Sequence, residues 1–261
     1  MKIAISGKGG TGKTTVAGIL ARSLARSGHD VVAVDADPNP NLGIALGLGV
    51  EETAQLEAIA NRVMREAQAH GHDHGDGHAH EHKGPDQLVE EMAVVAPDGV
   101  RLVQTGTIER PAEGCMCCGS HATTRIVFND LDATGRTIIA DLEAGINDLI
   151  WAYPKPGDIL LVVTEPYRKS IEVARRALSV AEELQLDQVV VVANRCESDD
   201  DADRVAAELG GAEVVAVPDD VAVWRADRDG RSPLDAAPDS PAVAAVQRLA
   251  ARLGELQTAA R

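Results

Sequence analysis

Three stretches hold most of the residues whose types and spacing could do chemistry. Gly7-Lys8-Gly9-Gly10-Thr11-Gly12-Lys13-Thr14, followed by Thr15, fits the pattern G-x-x-x-x-G-K-[ST]. Glycines at these places let backbone N–H groups converge on phosphate oxygens, and a helix starting at the end of the loop adds its N-terminal partial charge. Lys13 would then meet the β- and γ-phosphates, and the Thr14 hydroxyl would coordinate Mg²⁺. The second stretch is Gly114-Cys115-Met116-Cys117-Cys118-Gly119, three thiols within four positions. Neighbours that close cannot staple a fold, and the flanking glycines argue against core packing. Two sulfurs do not complete a tetrahedral or square-planar metal set. A two-fold dimer would, because it brings Cys115 and Cys117 of both subunits together. Cys115 with Cys118 as C-x-x-C, or all three thiols around an iron–sulfur cluster, remain open alternatives. The third stretch is residues 70–82, which carry His70, His72, His74, His78, His80 and His82, six of the eight histidines. Imidazoles suit Ni²⁺, Zn²⁺ and Cu²⁺, and such a strip would hold ions loosely and only while neutral, above about pH 6.5.

These groups need a frame. Apolar, β-branched runs alternate with helix-period segments along the chain. Strands are expected at 2–6, 31–35, 100–104, 137–141, 158–164, 188–194 and 213–217. Helices are expected at 13–27, 53–68, 169–185, 201–209 and 241–257. Ile159-Leu160-Leu161-Val162-Val163 and Val189-Val190-Val191-Val192 are continuously apolar, the mark of strands buried on both faces of a mostly parallel sheet. The expected architecture is α/β, one domain over 1–261 with helices on both faces of the sheet. Residues 70–84 stand out as an inserted flexible loop, since a His/Gly/Asp run has no apolar face to bury. The phosphate loop lies between the first strand and the first helix. Asp35, Asp37 and Asp141 fall at strand ends, the rim where open α/β sheets bind ligands. Asp141 is the candidate to act through Mg²⁺ and its waters, and Asp37 to orient the attacking water. Asp35 reads either as a site carboxylate or as a turn cap. Cys196 reads as structural, His29 as a surface cap, and His121 as a possible partner of Cys118.

Charge and composition exclude other classes. The chain of 261 residues carries 25 basic and 41 acidic residues, a net charge of −16. A protein held to phosphate backbones would need a concentrated basic face against that field, and only short pairs such as Arg175-Arg176 occur. Nucleic-acid binding is therefore not expected. Neither is a membrane partner: no window of eighteen apolar residues exists, and the helix expected at 241–257 lacks the large aromatics and Lys clusters of an interfacial anchor. The start Lys2-Ile3-Ala4-Ile5-Ser6 has no signal-peptide layout, so a cytoplasmic protein with reduced cysteines is expected.

Lys8, a second lysine inside the phosphate loop, makes Gly-Lys-Gly-Gly-Thr-Gly-Lys-Thr-Thr resemble the deviant Walker A motif of the MinD/ParA/nitrogenase-iron-protein class. The resemblance continues through Val34-Asp35-Ala36-Asp37-Pro38 and Asp141-Leu142-Glu143-Ala144-Gly145-Ile146. With Cys115-Met116-Cys117 ahead of Asp141, the chain looks most like the CooC family, ATPases that insert nickel into carbon monoxide dehydrogenase. It departs from that pattern at Thr11, where Val or Ile is commoner, at Cys118, where Pro is expected, and in the His run. The resemblance implies a homodimer bridged by nucleotide, with Lys8 neutralising phosphate charge across it. It also implies that Asn194 and Pro218 border the adenine. The expected function is thus an ATP-hydrolysing metallochaperone using ATP/ADP, Mg²⁺ and Ni²⁺ or Zn²⁺, with an apo-metalloenzyme as partner. An iron–sulfur carrier, and then a positioning ATPase, are the alternatives.

Overall fold

The computed structural model describes residues 1–69, 83–106, 116–152 and 154–259, the description being of backbone alone at 66–69, 116–120, 151, 199 and 257–259. Eight strands form a single sheet: β1 (Lys2–Gly7), β2 (Asp30–Asp35), β3 (Val94–Val95), β4 (Arg101–Gln104), β5 (Arg136–Asp141), β6 (Ile159–Thr164), β7 (Gln188–Cys196) and β8 (Val214–Pro218). Their order is β3-β4-β2-β5-β1-β6-β7-β8. Every pairing is parallel except that of β3 with β4. The seven expected strands are all present, and the two-residue β3 is too short to leave a periodic signal.

The helices are α1 (Lys13–Arg26), α2 (Leu42–Leu46), α3 (Val50–Ala54), α4 (Ile59–Ala69), α5 (Pro85–Met92), α6 (Met116–Asp130), α7 (Asn147–Ala152), α8 (Arg168–Glu183), α9 (Asp199–Glu208), α10 (Val221–Arg228), α11 (Pro233–Ala236) and α12 (Pro241–Ala259). The single helix expected at 53–68 is instead two, α3 and α4. Between them Ala58 bridges to Gln104, and in the first turn of α4 the Ala60 N–H donates to the Thr105 carbonyl at 3.0 Å, so docking on the sheet edge interrupts the helix. Helix α9 starts two residues before the expected 201 because Ser198 begins it, its N–H bonded to the Asp201 carboxylate at 3.2 Å. Helices α2, α5, α6, α7, α10 and α11 were not expected. Most of them are short, and α6 opens on Met116-Cys117-Cys118-Gly119, which has no apolar period.

Apolar alternation divides the strands between two cores. Ile3 and Ile5 of β1 face a cluster with Val16 and Leu20 of α1 and Val243, Val246, Leu249 and Leu253 of α12. Ala4 faces the opposite cluster, with Phe128 of α6, Leu149 of α7 and Ile171 of α8. At roughly 25 cal/mol per Å² of apolar surface removed from water, these two layers are the main force holding the sheet between its helices. The apolar stripe of α12 is thus spent on α1. No helix among the described residues is long and apolar enough to cross a membrane.

Candidate functional site

The strand order decides which loops meet. Because β5 lies between β2 and β1, Asp141 stands level with Asp35 on one side and Ile5 on the other. The turn after β1 and the carboxylates ending β2 and β5 therefore share one rim.

Gly7 begins the phosphate loop with φ 149°, and a Cβ there would lie 2.1 Å from the Val163 carbonyl oxygen. Gly12 closes it at φ 91° against Asn194, whose amide nitrogen would sit 2.4 Å from a Cβ. Neither position tolerates a side chain. Buried Thr11 donates its hydroxyl to the Lys8 carbonyl at 2.8 Å and accepts the Asn194 amide on its own carbonyl at 2.7 Å. The loop is thus clamped from β7. Lys13 is buried to 7% exposure at the start of α1.

The Thr14 hydroxyl donates to Asp141 Oδ2 at 2.6 Å, while buried Oδ1 of the same carboxylate has no hydrogen-bond partner among the described residues. A buried acceptor without a donor costs about 1–3 kcal/mol, and a hard cation on these oxygens would relieve that. The donor chemistry fits Mg²⁺. Burial raises the Asp141 carboxyl above its usual range, Asp37 adding to the rise while the Thr14 hydroxyl and Lys13 oppose it. Burial, and next the charge of Asp141, raise Asp35 as well. Of its two readings the cap is the one its bonds display: Oδ2 accepts the Leu42 N–H at 2.9 Å at the start of α2, and Oδ1 the Asp37 N–H at 3.3 Å. Asp37 lines the cavity with Gly9, Gly10, Lys13 and Thr14, and its carboxylate accepts the Asn39 N–H at 2.8 Å.

That cavity adjoins a second, lined by Asn194, Pro218, Val221 and Trp224, and the two share Gly12, Thr15, Arg195 and Asp227. Lys8 lines neither. Its ammonium is 3.2 Å from the Tyr167 hydroxyl, 3.4 Å from the Gly9 carbonyl and 5.7 Å from the Tyr167 ring centre. Arg195 escaped the sequence reading. It has φ 57°, donates to the Gly10 carbonyl at 3.2 Å and pairs with Glu165 at 2.7 Å. Among many surface arginines its only signal was its position directly after Asn194. Trp224, an exposed large apolar residue at 56%, could have been found as one of only two tryptophans.

The metal candidates divide differently. Cys115 and His70, His72, His74, His78, His80 and His82 lie outside the described residues. Cys117 and Cys118 fall in the first turn of α6, described as backbone. His121, three residues beyond Cys118, meets Asp148 of α7, Nδ1 to Oδ1 at 2.5 Å, with Glu143 beside the pair. Burial raises Asp148, and it raises Glu143 with help from the Asp148 charge. Cys196 is buried, its thiol directed at the Ala193 carbonyl at 3.2 Å, as a structural residue would be.

Residues 2–234 match the family described as CobQ/CobB/MinD/ParA nucleotide binding domain. The carbon monoxide dehydrogenase accessory protein CooC of Rhodospirillum rubrum is 30% identical over 242 residues, 91% of each chain. An ATP-binding protein of Methanocaldococcus jannaschii is 31% identical over 234 residues, 88% of this chain and 90% of its own. Among solved structures, the cell division ATPase MinD of Pyrococcus furiosus superposes with a TM-score of 0.72 at 22% identity, over 98% and 99% of the two chains. At that identity the likeness is one of fold.

Proposed function

The chain belongs to the CobQ/CobB/MinD/ParA nucleotide-binding family of P-loop ATPases, and from that premise we propose that it is an ATP-hydrolysing metallochaperone. It binds Ni²⁺ or Zn²⁺ as cargo on Cys115 and Cys117 and delivers it, in the cytoplasm, to an apo-metalloenzyme of the carbon monoxide dehydrogenase kind. The observation that supports the reading is the chain's similarity to CooC over 91% of each chain, joined to the sequence Cys115-Met116-Cys117, of which Met116 and Cys117 open α6. Helix α6 packs on α7, and α7 follows the loop leaving Asp141. A metal grip on α6 is then mechanically next to the nucleotide carboxylate.

In this mechanism ATP lies along the rim, its base in the cavity bordered by Asn194 and Pro218 and its phosphates over Gly9, Gly10, Thr11, Gly12, Lys13, Thr14 and Thr15. Backbone N–H groups and Lys13 hold the β- and γ-phosphates. Thr14 and Asp141 would hold Mg²⁺, which supplies positive charge against the phosphate oxygens. Asp37 orients the attacking water. Lys8 leaves Tyr167 and reaches the nucleotide of a second subunit, so the homodimer closes around ATP and sets four cysteine sulfurs together. Hydrolysis reopens it. The residues of 70–82 serve as a weak reserve of ions.

Anaerobic metal stoichiometry by native mass spectrometry tests the reading on wild type, Cys115→Ser/Cys117→Ser and a 70–82 deletion, with Ni²⁺, Zn²⁺ and Fe²⁺, with and without ATP. One tight Ni²⁺ or Zn²⁺ per dimer, lost only without the cysteines, is the expected result. Iron with equal sulfide would replace this reading by the cluster-carrier one.

A further inference from the structure

We propose that His121, Glu143 and Asp148 form a second cation site, for a first-row divalent ion of the Ni²⁺/Zn²⁺ kind. One ligand atom from each residue lies within 4.8 Å of the others. An ion about 2.1 Å from each donor separates the donors by roughly 3–4 Å, so the His121–Asp148 pair at 2.5 Å opens and Glu143 draws in when the three take an ion. A plain His–Asp ion pair does not account for the third member. Glu143 brings a second carboxylate against Asp148, an arrangement that repels until a cation stands between them. The imidazole favours transition metals over Ca²⁺ and Mg²⁺.

One carboxylate of the set is held from the backbone. Asp148 is 1% exposed, and its Oδ2 accepts the Glu143 N–H at 3.0 Å, which orients Oδ1 toward His121. Backbone hydrogen bonding of this kind is how ligating carboxylates are fixed. His121 and Glu143 keep partial exposure. Three protein ligands with solvent at the remaining positions describe an exchanging site rather than a closed structural one.

The loop carrying Glu143 is also tied to the phosphate loop. Leu142 N–H donates to the Ile5 carbonyl at 3.1 Å, Gly145 N–H to the Gly7 carbonyl at 2.9 Å, and the Ser6 hydroxyl to the Gly145 carbonyl at 3.1 Å. The site therefore shares one helix with Cys117 and Cys118 and one loop with the nucleotide. An ion passing from thiolate to this harder set would loosen its hold as the rim changes on hydrolysis. The choice of ion rests on the metal-handling reading above, whereas the ligand set rests on geometry alone.

The test isolates the site by combining Cys115→Ser/Cys117→Ser/Cys118→Ser with deletion of 70–82 in the otherwise full chain. Isothermal titration with Ni²⁺ and with Zn²⁺ should show one ion per chain, weakened at least tenfold by His121→Gln and by Glu143→Gln. No ion in this background, or binding indifferent to both substitutions, would overturn the inference. In wild type, the ¹⁵N shifts of the His121 ring on adding Zn²⁺ give the same readout without the deletions, and unmoved shifts would equally sink it. If the cysteines bind and this site does not, this inference falls by itself. If this site binds and the cysteines do not, the site stands and the proposed function falls.

Discussion

Two polar clusters in this protein, one around a buried arginine and one of buried carboxylates, treat charge in opposite ways. Around Arg22, on the helix that follows the phosphate loop, positive and negative groups balance. Its guanidinium donates to Asp98 at 2.6 Å and to both oxygens of Asp235 at 2.6 and 2.9 Å, with the Ser232 hydroxyl at 3.2 Å. Its partner Asp235 is held below the usual carboxylate range, chiefly by that hydrogen bonding. At the rim, Asp35, Asp141 and Asp148 are each about 1% exposed, and burial pushes each one upward. The first cluster joins α1 to α11 and the turn before β4, and it is complete. In the second, Asp35 and Asp148 lean on backbone N–H groups and His121, while Asp141 Oδ1 has no hydrogen-bond partner among the described residues. A cluster whose charges are matched reads as structure, and one of buried carboxyls with perturbed titration beside a cavity reads as a binding site.

The largest effect expected on this contrast comes from Lys13→Ala. It removes the buried cation facing Asp141 and the phosphates and should lower ATP turnover by at least about a hundredfold. The fold, followed by circular dichroism, and metal binding by the free protein should persist. Equal loss of turnover and metal binding in a folded variant would break the separation of the two sites. Arg22→Met should strike stability instead, by about 1–3 kcal/mol in urea unfolding, because it removes the buried guanidinium that ties Asp98 and Asp235 to α1, while those carboxylates keep access to water. A cost below about 1 kcal/mol would mean that the Arg22 cluster is not the balanced structural element described here.

A pH series sharpens the same contrast. With the folded carboxyl of Asp35 raised above its unfolded value, its contribution to stability is full below the ordinary carboxylate range. It is lost as pH rises through the higher folded value. Nucleotide-free wild type should lose stability with rising pH relative to Asp35→Asn, by at most about 1.4 kcal/mol per pH unit for one group. Parallel melting curves from pH 5 to 8 would contradict this. The smallest effect belongs to Tyr167→Phe, which removes one exposed hydrogen bond to Lys8. Stability should change by less than about 0.5 kcal/mol. ATP-dependent dimerisation, read by analytical ultracentrifugation, should be retained or strengthened as Lys8 is released, and its loss would show that Tyr167 assists rather than holds Lys8.

Much of the fold was legible because it was written locally. The phosphate loop needs glycine at Gly7 and Gly12 whatever surrounds it, and strands buried on both faces need unbroken runs such as Ile159–Val163. The places that sequence misjudged are those where tertiary contact outweighs period. The 53–68 segment breaks because Ala58 and Ala60 are captured by the edge of the sheet. Helix α6 carries no apolar period through its first turns.

Sequence alone also determined the chemistry on offer: a phosphate cradle, a cysteine triplet and an acidic chain of net charge −16. Tertiary structure decided who meets whom. Insertion of β5 between β2 and β1 sets Asp141 against Thr14 and level with Asp35. The packing of α6 on α7 turned His121 toward Asp148 and Glu143, residues 22 to 27 positions away, where spacing along the chain had pointed it only at Cys118. The physical reason is the same in both cases. A residue's type fixes which bonds it can make, while the order of strands and the packing of helices fix which partner lies within 3 Å.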